Sequence, residues 1–361
     1  MIAFGFATLL FFPILDQCLD LSTGFKSTEK RILAPFPTFR FPHVKSYIHE
    51  FDEYYKENFG WRNALFHAYS YWKLVILGQS PLPDKVVVGK HGWFYPGNSL
   101  NHAVDKHRGL MPMSQSSMHA ICQRLSHFQQ QLAKHGTRLY ILVAPDSYTI
   151  YPENLPDYIH ENGPSNLDLF KQYLTQHTTV PFIDIRNALR MAKKNHVVYS
   201  QTDTHWNDYG SLIASLTVVD YVKKDFPQLI DANLSDYRVK ATNGMGGDLV
   251  TMLALNKELK DSVVYRITPV PSLAARQIEN TPNADMNLPS SRFIGQKSTL
   301  PKLLLIGDSF SFSMNQFIPN HFGESYLVRT NRFKMDLVQN EHPDIVVLEI
   351  VERNIDLLAS Y

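Results

Sequence analysis

The stretch Lys302–Phe310, KLLLIGDSF, indicates both a fold class and a reactive position. Its apolar run Leu303–Ile306 has the length and composition of a strand buried on both faces, which is typical of parallel sheets. Gly307 ends the run, and Asp308 and Ser309 lead into a predicted helix. Ligands in open α/β sheets bind at the carboxyl ends of the strands, so Ser309 stands where a reactive group is expected.

A serine at the start of a helix has two possible roles. The free backbone N–H groups and the positive end of the helix dipole beside it can stabilise an oxyanion, which favours a nucleophile. Alternatively, Asp308 or Ser309 only caps the helix. A Gly-Asp-Ser sequence taken alone favours the cap. A catalytic interpretation of Ser309 therefore needs a base elsewhere in the chain, because a serine hydroxyl is a weak nucleophile without one.

The segment Ser200–Gly210, SQTDTHWNDYG, contains such a base. His205 would take the proton of Ser309, and Asp203 would orient the imidazole through its other ring nitrogen. Residues i and i+2 of an extended segment share a face, although a carboxylate that binds its own i+2 histidine requires a turn. Two alternatives stay open, namely a capping aspartate with a structural histidine, and a metal site made by Asp203, His205 and Asp208.

Two residues beside the histidine are candidates for substrate binding. Trp206 could stack on the apolar face of a sugar ring, or it could belong to the core. Asn207 could donate a hydrogen bond to an oxyanion, or it could begin the next helix, and the second role is the favoured one.

Two further segments could lie near this site. Glu349, Glu352 and Arg353 lie at the end of the last predicted strand, where they form an ion-paired terminus or line the site. Of the three, Arg353 is the one that we predict to bind substrate. The glycine-rich Gly244–Asp248 follows no predicted strand and precedes no Gly-Lys-Ser/Thr, so we interpret it as a flexible turn near the site rather than a phosphate loop.

Short apolar runs alternate with helical periodicities along the chain, which predicts an α/β fold with a mainly parallel sheet. The segment 235–297 is irregular by comparison, and we expect an inserted lobe or long loops there. The predicted helices are Ser114–His135, Leu167–Leu174, Asn187–Lys194 and Tyr209–Val222, and the predicted strands are Leu139–Val143, Phe182–Ile185, Leu303–Ile306 and Ile345–Ile350.

Aromatic residues at helical spacing over Lys45–Leu77 predict two helices separated at Gly60. We expect these aromatics to belong to the core rather than to a ligand-stacking surface. The next segment, Val86–Tyr95, has two apolar runs around a glycine-flanked turn, and this pattern predicts a β-hairpin.

The N-terminal run Ile2–Leu15 is almost wholly apolar. It is shorter than a membrane-spanning helix but as long as the apolar region of a signal peptide. We expect an export segment over residues 1–25 that stays attached as a membrane anchor, and one domain over 26–361. A cleaved signal and a buried helix of a cytosolic protein are the alternatives.

Composition excludes several functional classes. The 35 Lys and Arg against 34 Asp and Glu give no basic surface for nucleic acid. Cys18 and Cys122, the two cysteines, cannot build a disulfide framework or a thiolate metal cluster. No motif indicates a cofactor, and we predict none.

At these residues the chain resembles the alginate O-acetyltransferase family, the periplasmic SGNH hydrolase-like proteins that help to acetylate bacterial exopolysaccharides. The likeness runs from about residue 29 to residue 354. It is carried by Glu29–Arg31 with the Leu-Ala-Pro that follows, Val88–Tyr95, Asp203–Asn207, Gly307–Phe310 and the pair Glu352–Arg353.

The resemblance implies an SGNH hydrolase-like three-layer fold and a triad of Asp203, His205 and Ser309. It also implies an acetyl-serine intermediate, a polysaccharide acceptor, a membrane-bound acyltransferase as acetyl donor and a periplasmic location. His91 and Ser147 depart from the residues common in the family, which affects substrate details rather than the triad. A secreted carbohydrate esterase and a non-catalytic scaffold of an export complex are the alternative functions.

Overall fold

The computed structural model describes residues 11–13, 15–16, 19, 21–22, 24, 33–282, 289–330 and 333–359. The expected anchor, residues 1–25, lies mostly outside them. Among the described residues, no helix combines the length and the apolar composition that a membrane crossing requires.

The described chain contains the predicted helices and strands in the predicted order, together with strands at 237–242, 264–269, 276–282, 289–294 and 324–329 that the sequence analysis did not predict. The helices are α1 (Val44–Asn58), α2 (Arg62–Tyr71), α3 (Ala103–His107), α4 (Gln115–Ala133), α5 (Ser147–Ile150), α6 (Asn166–His177), α7 (Arg186–Ala192), α8 (Asp208–Lys223), α9 (Asp248–Met252), α10 (Ser309–Met314) and α11 (Met335–Glu341). The strands are β1 (Val86–Val88), β2 (Phe94–Pro96), β3 (Arg138–Ala144), β4 (Phe182–Ile183), β5 (Tyr237–Thr242), β6 (Val264–Pro269), β7 (Arg276–Pro282), β8 (Pro289–Ile294), β9 (Lys302–Gly307), β10 (Glu324–Arg329) and β11 (Ile345–Val351). A π-helical turn, Trp72–Ile76, continues α2, and short 3-10 segments include Glu352–Ala359 after β11.

The central sheet has seven strands in the order β4-β3-β11-β9-β10-β8-β7. The first five strands run parallel to one another. Strand β8 pairs antiparallel with β10 on one side and with β7 on the other. The sheet is therefore mixed, and the expectation of a mainly parallel sheet holds only for its first five strands. The two added strands were not predicted because their residues, such as RQIENTP in β7, lack the continuous apolar run of a buried parallel strand.

Helices cover both faces of this sheet and produce three layers. Alternate residues of β3 show the division, since Leu139, Ile141 and Val143 pack with α4 and α6 on one side. Tyr140 and Leu142 pack on the other side with α7 and α8. Successive residues of a strand point to opposite faces, and helices cover each face, so both sets of side chains are buried.

The segment 235–297, expected to be irregular or an inserted lobe, contains regular structure. Strands β5 and β6 pair antiparallel as a separate two-stranded sheet. Strands β7 and β8 join the edge of the central sheet next to β10. Part of this segment therefore belongs to the main fold.

The aromatics of the N-terminal helices do not form the predicted core. Helix α1 has no buried residue, Phe51 is 39% exposed and Trp72 is 52% exposed. The two helices and their separation near Gly60 are confirmed, as is the β1–β2 hairpin. Helical spacing shows that apolar residues share a face, but it does not show what that face contacts.

Candidate active site

Asp203 and His205 lie in a turn that precedes α8. The carboxylate Oδ1 of Asp203 accepts a hydrogen bond from the backbone N–H of His205 at 3.0 Å and lies 2.6 Å from its ring Nδ1. An aspartate side chain that accepts from the amide two residues later closes a local turn. This turn supplies the geometry that an aspartate needs to orient its own i+2 histidine, and it leaves Nε2 of His205 for another partner.

A second carboxylate lies behind the first. Asp248, the first residue of α9, donates its backbone N–H to Oδ2 of Asp203 at 2.8 Å. Its side chain accepts from the backbone N–H and the hydroxyl of Thr204, at 2.8 and 2.6 Å. The turn that holds the imidazole is thus fixed from both sides by charge-assisted hydrogen bonds.

The two carboxyl groups have opposite pKa shifts. Burial opposes ionisation of Asp203, but the hydrogen bond and charge of His205 outweigh burial and lower its pKa. Burial, followed by the negative charge of Asp203, raises the pKa of Asp248. Asp203 is therefore the charged partner of His205.

The possible metal ligands in the structure are not the three that the sequence suggested, because Asp248 takes the place of Asp208. The potential ligand atoms of Asp203, His205 and Asp248 lie within 4.8 Å of one another, whereas Asp208 instead accepts a hydrogen bond from Gln316. Each carboxylate oxygen of Asp203 and Asp248 already accepts from a group of the protein. We therefore interpret these three residues as a network that orients the imidazole.

Ser309 opens α10 directly after β9, as the sequence predicts. Asp308 is the helix cap, because its Oδ1 accepts from the backbone N–H of Phe310 at 2.9 Å. Its other oxygen accepts from the backbone N–H of Val351 in β11 at 2.8 Å. The capping role belongs to Asp308, so helix capping does not account for Ser309.

Contacts between aromatic rings bring His205 to the first turn of α10. The His205 and Phe310 rings have centroids 4.9 Å apart, and Phe310 is the residue next to Ser309. Trp206 packs edge-on against Phe310 at 5.0 Å and donates its indole N–H to Ser313 at 2.7 Å. The imidazole, its aspartate and the start of the serine helix thus meet in one region.

The residues predicted to bind substrate have other partners. Trp206 is 3% exposed, so it packs in the core and offers no free face for a sugar. Asn207 caps α8 through Gly210 and donates its amide to the carbonyl of Val197. The protein itself therefore supplies the partners of both side chains.

Arg353 lies beside the site and forms an ion pair with Asp146. Its guanidinium carbon is 5.6 Å from the centroid of the Phe310 ring. Neighbouring Glu352 accepts hydrogen bonds from the Asp146 amide and the Thr149 hydroxyl. Burial, followed by the charge of Asp146, raises the pKa of Glu352 to about 7.

Sequence reasoning assigned no role to Asp248, Phe310 or Asp146, although Asp248 lies in the turn that it placed near the site and Phe310 in the Gly307–Phe310 motif. The turn Gly244–Asp248 was placed near the site, and the structure shows why its glycine is needed. A Cβ atom on Gly247 would lie 2.5 Å from Cβ of Asp203. Asp248 could have been noticed as the acidic residue that ends this glycine-rich turn. The sequence pattern did not indicate that it contacts Asp203.

Comparison with known proteins identifies related sequences. The family described as "SGNH hydrolase-like domain, acetyltransferase AlgX" matches residues 86–328, more than half of the chain. The protein named probable alginate O-acetylase AlgJ of Pseudomonas aeruginosa is 24% identical over 234 residues, which are 63% of this chain and 55% of that protein. The chain therefore spans little more than half the length of this relative.

Solved structures share the fold. A DHHW family protein from Eubacterium siraeum superposes with a TM-score of 0.55 at 15% identity, covering 74% of this chain and 94% of that one. PatB1 of Bacillus cereus gives a TM-score of 0.55 at 13% identity, covering 76% and 98%. At these identities the likeness is one of fold alone.

Proposed function

This chain belongs to the family of SGNH hydrolase-like domains described as acetyltransferase AlgX, and on that premise we propose that it is an O-acetyltransferase acting on an exported, alginate-like polysaccharide. One observation carries the proposal. Asp203 holds the His205 imidazole at 2.6 Å through Nδ1, and the ring packs against Phe310 at the start of the helix that Ser309 opens. A base that is oriented in this way can activate a serine hydroxyl.

In the first half-reaction, Nε2 of His205 takes the hydroxyl proton of Ser309 while Oγ attacks the carbonyl carbon of an acetyl donor. The bond between that carbon and the donor breaks, and the imidazolium returns the proton to the leaving group. Asp203 stays ionised and stabilises the imidazolium. The amide of Phe310 is committed to Asp308, so we assign the backbone N–H of Ser309 as the oxyanion donor that α10 supplies.

In the second half-reaction, a sugar hydroxyl attacks the acetyl-serine and gives its proton to His205. The ester bond to Ser309 breaks, and the proton returns to Oγ. Transfer occurs in preference to hydrolysis where the acceptor excludes water from the acyl group. Arg353, whose side chain is 10% exposed and ion-paired with Asp146, lies beside the Phe310 ring, and we assign to it an electrostatic attraction for an anionic sugar rather than direct contact.

The location and partners that we propose follow from the sequence. The apolar run Ile2–Leu15 suits an export signal or tether, so the domain would work in the periplasm at the inner membrane. There a membrane-bound acyltransferase would present the acetyl group. The named relative, probable alginate O-acetylase AlgJ, supports alginate or a similar polymer as acceptor.

The first test asks whether Ser309 is the nucleophile. We expect the purified chain to release nitrophenol from nitrophenyl acetate, and Ser309→Ala to reduce this rate by about 1,000-fold, because the acyl-enzyme can no longer form. Ser298→Ala, at an exposed position before β9, is the matched control and should retain full activity. Equal rates for Ser309→Ala and the wild type would favour a non-catalytic scaffold and reject the proposal.

The second test separates a transferase from a secreted esterase. The acetyl ester is supplied together with a mannuronate oligosaccharide, and mass spectrometry follows the oligosaccharide. We expect an added acetyl group that depends on Ser309. Release of acetate with no acetylated oligosaccharide would instead identify an esterase.

A further inference from the structure

Glu349 is a carboxyl group in the middle of the central sheet. It belongs to β11, opposite Leu142 of β3 in the register, and it is completely buried. The other residues of β11, Ile345–Val351, are apolar. An acidic group in such a place costs several kcal/mol of desolvation if it is charged, so its presence calls for a reason.

The side chain of Glu349 contacts the turn that carries Ser309. Its Oε2 accepts the backbone N–H of Asp308 at 3.0 Å. A Cβ atom on Gly307 would lie 2.5 Å from the same oxygen, so glycine at this position makes room for the carboxyl group. Asp308 in turn accepts the backbone N–H of Val351. Two hydrogen bonds in opposite directions thus join the serine turn to β11.

These bonds begin where the backbone ladder ends. The last residues paired between β9 and β11 are Ile306 and Leu348. Directly beyond this pair, the chain of β9 turns towards Ser309, and the Glu349 and Asp308 side chains bridge the two strands. On the β11 side the position of the serine turn therefore depends on these side chains, whereas on the β10 side the ladder continues to the pair Gly307 and Arg329.

Burial, followed by the negative charge of Asp308, raises the pKa of Glu349 well above its ordinary value and so favours its neutral form. The positive Arg329 guanidinium, at the end of β10, interacts with both carboxyl groups and opposes this shift without reversing it. A neutral Glu349 accepts from the Asp308 amide without adding negative charge beside the position where the oxyanion of the acyl transfer develops.

We propose that Glu349 is a positioning residue, which holds the Gly307–Ser309 turn against β11 and so directs the Ser309 hydroxyl towards His205. The inference rests on the proposed role of Ser309 as the nucleophile. Glu349 touches neither substrate nor reacting atoms, and it acts through Asp308.

Two substitutions test this role by their effect on kcat and KM for an acetyl ester. Glu349→Ala removes the acceptor of the Asp308 amide and should lower kcat by about 100-fold with KM unchanged, because a displaced nucleophile loses near-attack geometry. Glu349→Gln keeps an oxygen acceptor of similar size and should retain kcat near the wild-type value at neutral pH.

The pH dependence distinguishes positioning from simple packing. Glu349 has a raised pKa in the folded protein, so its contribution to stability is complete below the pKa of the unfolded chain and is lost as the pH rises towards the folded value. We expect the wild-type melting temperature to decline as the pH rises from the pKa of glutamate in the unfolded chain towards the raised pKa of folded Glu349, and kcat to decline as the pH approaches that raised pKa. Glu349→Gln cannot ionise and should lack this decline.

Leu348→Ala is the control for general loosening of β11. Leu348 is equally buried but packs on the opposite face of the sheet, with α4 and α6. It should lower the melting temperature and leave kcat of the folded enzyme unchanged. A kcat for Glu349→Ala equal to that of the wild type, or a loss in Glu349→Gln as large as in Glu349→Ala, would overturn the proposal.

Labelling of Ser309 by a sulfonyl fluoride, followed by mass spectrometry, separates this inference from the proposed function. Slower labelling in Glu349→Ala than in the wild type and Leu348→Ala is the expected result. If the wild type reacts and Glu349→Ala reacts equally fast, only the positioning role is lost. If the wild type neither reacts at Ser309 nor turns over an acetyl ester, the nucleophile itself is wrong and both proposals are rejected.

Discussion

Single hydrogen bonds decide which residues of this site can take part in chemistry. Asp203 has a lowered pKa because His205 outweighs the effect of burial, and Asp248 has a raised pKa because it is buried beside Asp203. Neighbouring carboxyl groups with diverging pKa values take different roles. Asp203 is the charged orienter, and Asp248 fixes the turn through Thr204.

Replacement of Asp203 by asparagine tests the orienter. An amide keeps the size of the side chain but cannot stabilise the imidazolium, so Asp203→Asn should lower kcat for an acetyl ester by about 100-fold or more. Asp208→Asn is the matched control, because the Asp208 side chain bonds to Gln316 rather than to His205. A loss of activity in Asp208→Asn as large as in Asp203→Asn would show that the loss is not specific to the Asp203–His205 pair and would contradict the role of Asp203 as the orienter.

At the scale of elements, the site depends on turns that approach one another closely. The turn before α9 packs on the turn before α8, where a Cβ atom on Gly247 would lie 2.5 Å from both Cβ of Asp203 and the carbonyl oxygen of Thr202. Two backbone segments can meet at this distance only if one of them carries glycine. The orientation of His205 is therefore set jointly by two elements that are distant in the sequence.

Gly247→Ala should separate these turns and lower kcat by about 10-fold or more, because small displacements of a base reduce proton transfer. The measurement is kcat on an acetyl ester, with circular dichroism to establish that the fold persists. Gly163→Ala is the control, since a Cβ atom there would meet no atom within 4 Å. Unchanged kcat in Gly247→Ala would contradict the close packing described for this turn.

The sequence predicted the elements that have strong local signals. Apolar runs located β3, β9 and β11, and helical periodicity located α4, α6 and α8. The base and the nucleophile were proposed from two short motifs. Asp248 was not, because its contact with Thr204 joins residues 44 positions apart, and no local pattern encodes such a contact.

The failures of prediction have related causes. Strand β7 is the edge strand and β8 lies between it and β10, and both carry polar residues instead of the apolar run of a buried strand. Trp206 and Asn207 follow His205 in the sequence. An aromatic and an amide side chain suit both substrate binding and structural roles. Only their burial and hydrogen bonds decide between these roles.

At the scale of the whole molecule, a network of ion pairs connects β8, one of the two added strands, to the parallel strands β10 and β9. Arg292 of β8 binds Glu324 of β10 and Glu341 of α11 at 2.6 and 2.7 Å. Lys302 of β9 lies 3.0 Å from the same two carboxylates. Because the network spans three adjacent strands and a helix, it ties the added edge to the strand that leads to Ser309.

Arg292→Met should lower the free energy of unfolding by about 2 kcal/mol, because Glu341 loses its bidentate partner and the partly buried Glu324 and Glu341 are left to share Lys302. Urea denaturation measures the loss, and kcat of the folded enzyme should not change. Lys56→Met is the control, since its ion pair with Asp52 is solvent-exposed and such pairs contribute little. Equal stability of Arg292→Met and the wild type would show that the edge is held by its backbone bonds alone.

The bond between Asp203 and His205 also gives this protein a spectroscopic reporter. A proton held between an imidazole nitrogen and a carboxylate oxygen 2.6 Å apart is strongly deshielded, so its nuclear magnetic resonance signal falls far downfield of the amide protons. Both side chains are less than one-third exposed, which slows exchange of this proton with water. One resolved line would thus reveal the charge state of the His205 imidazole without any added substrate.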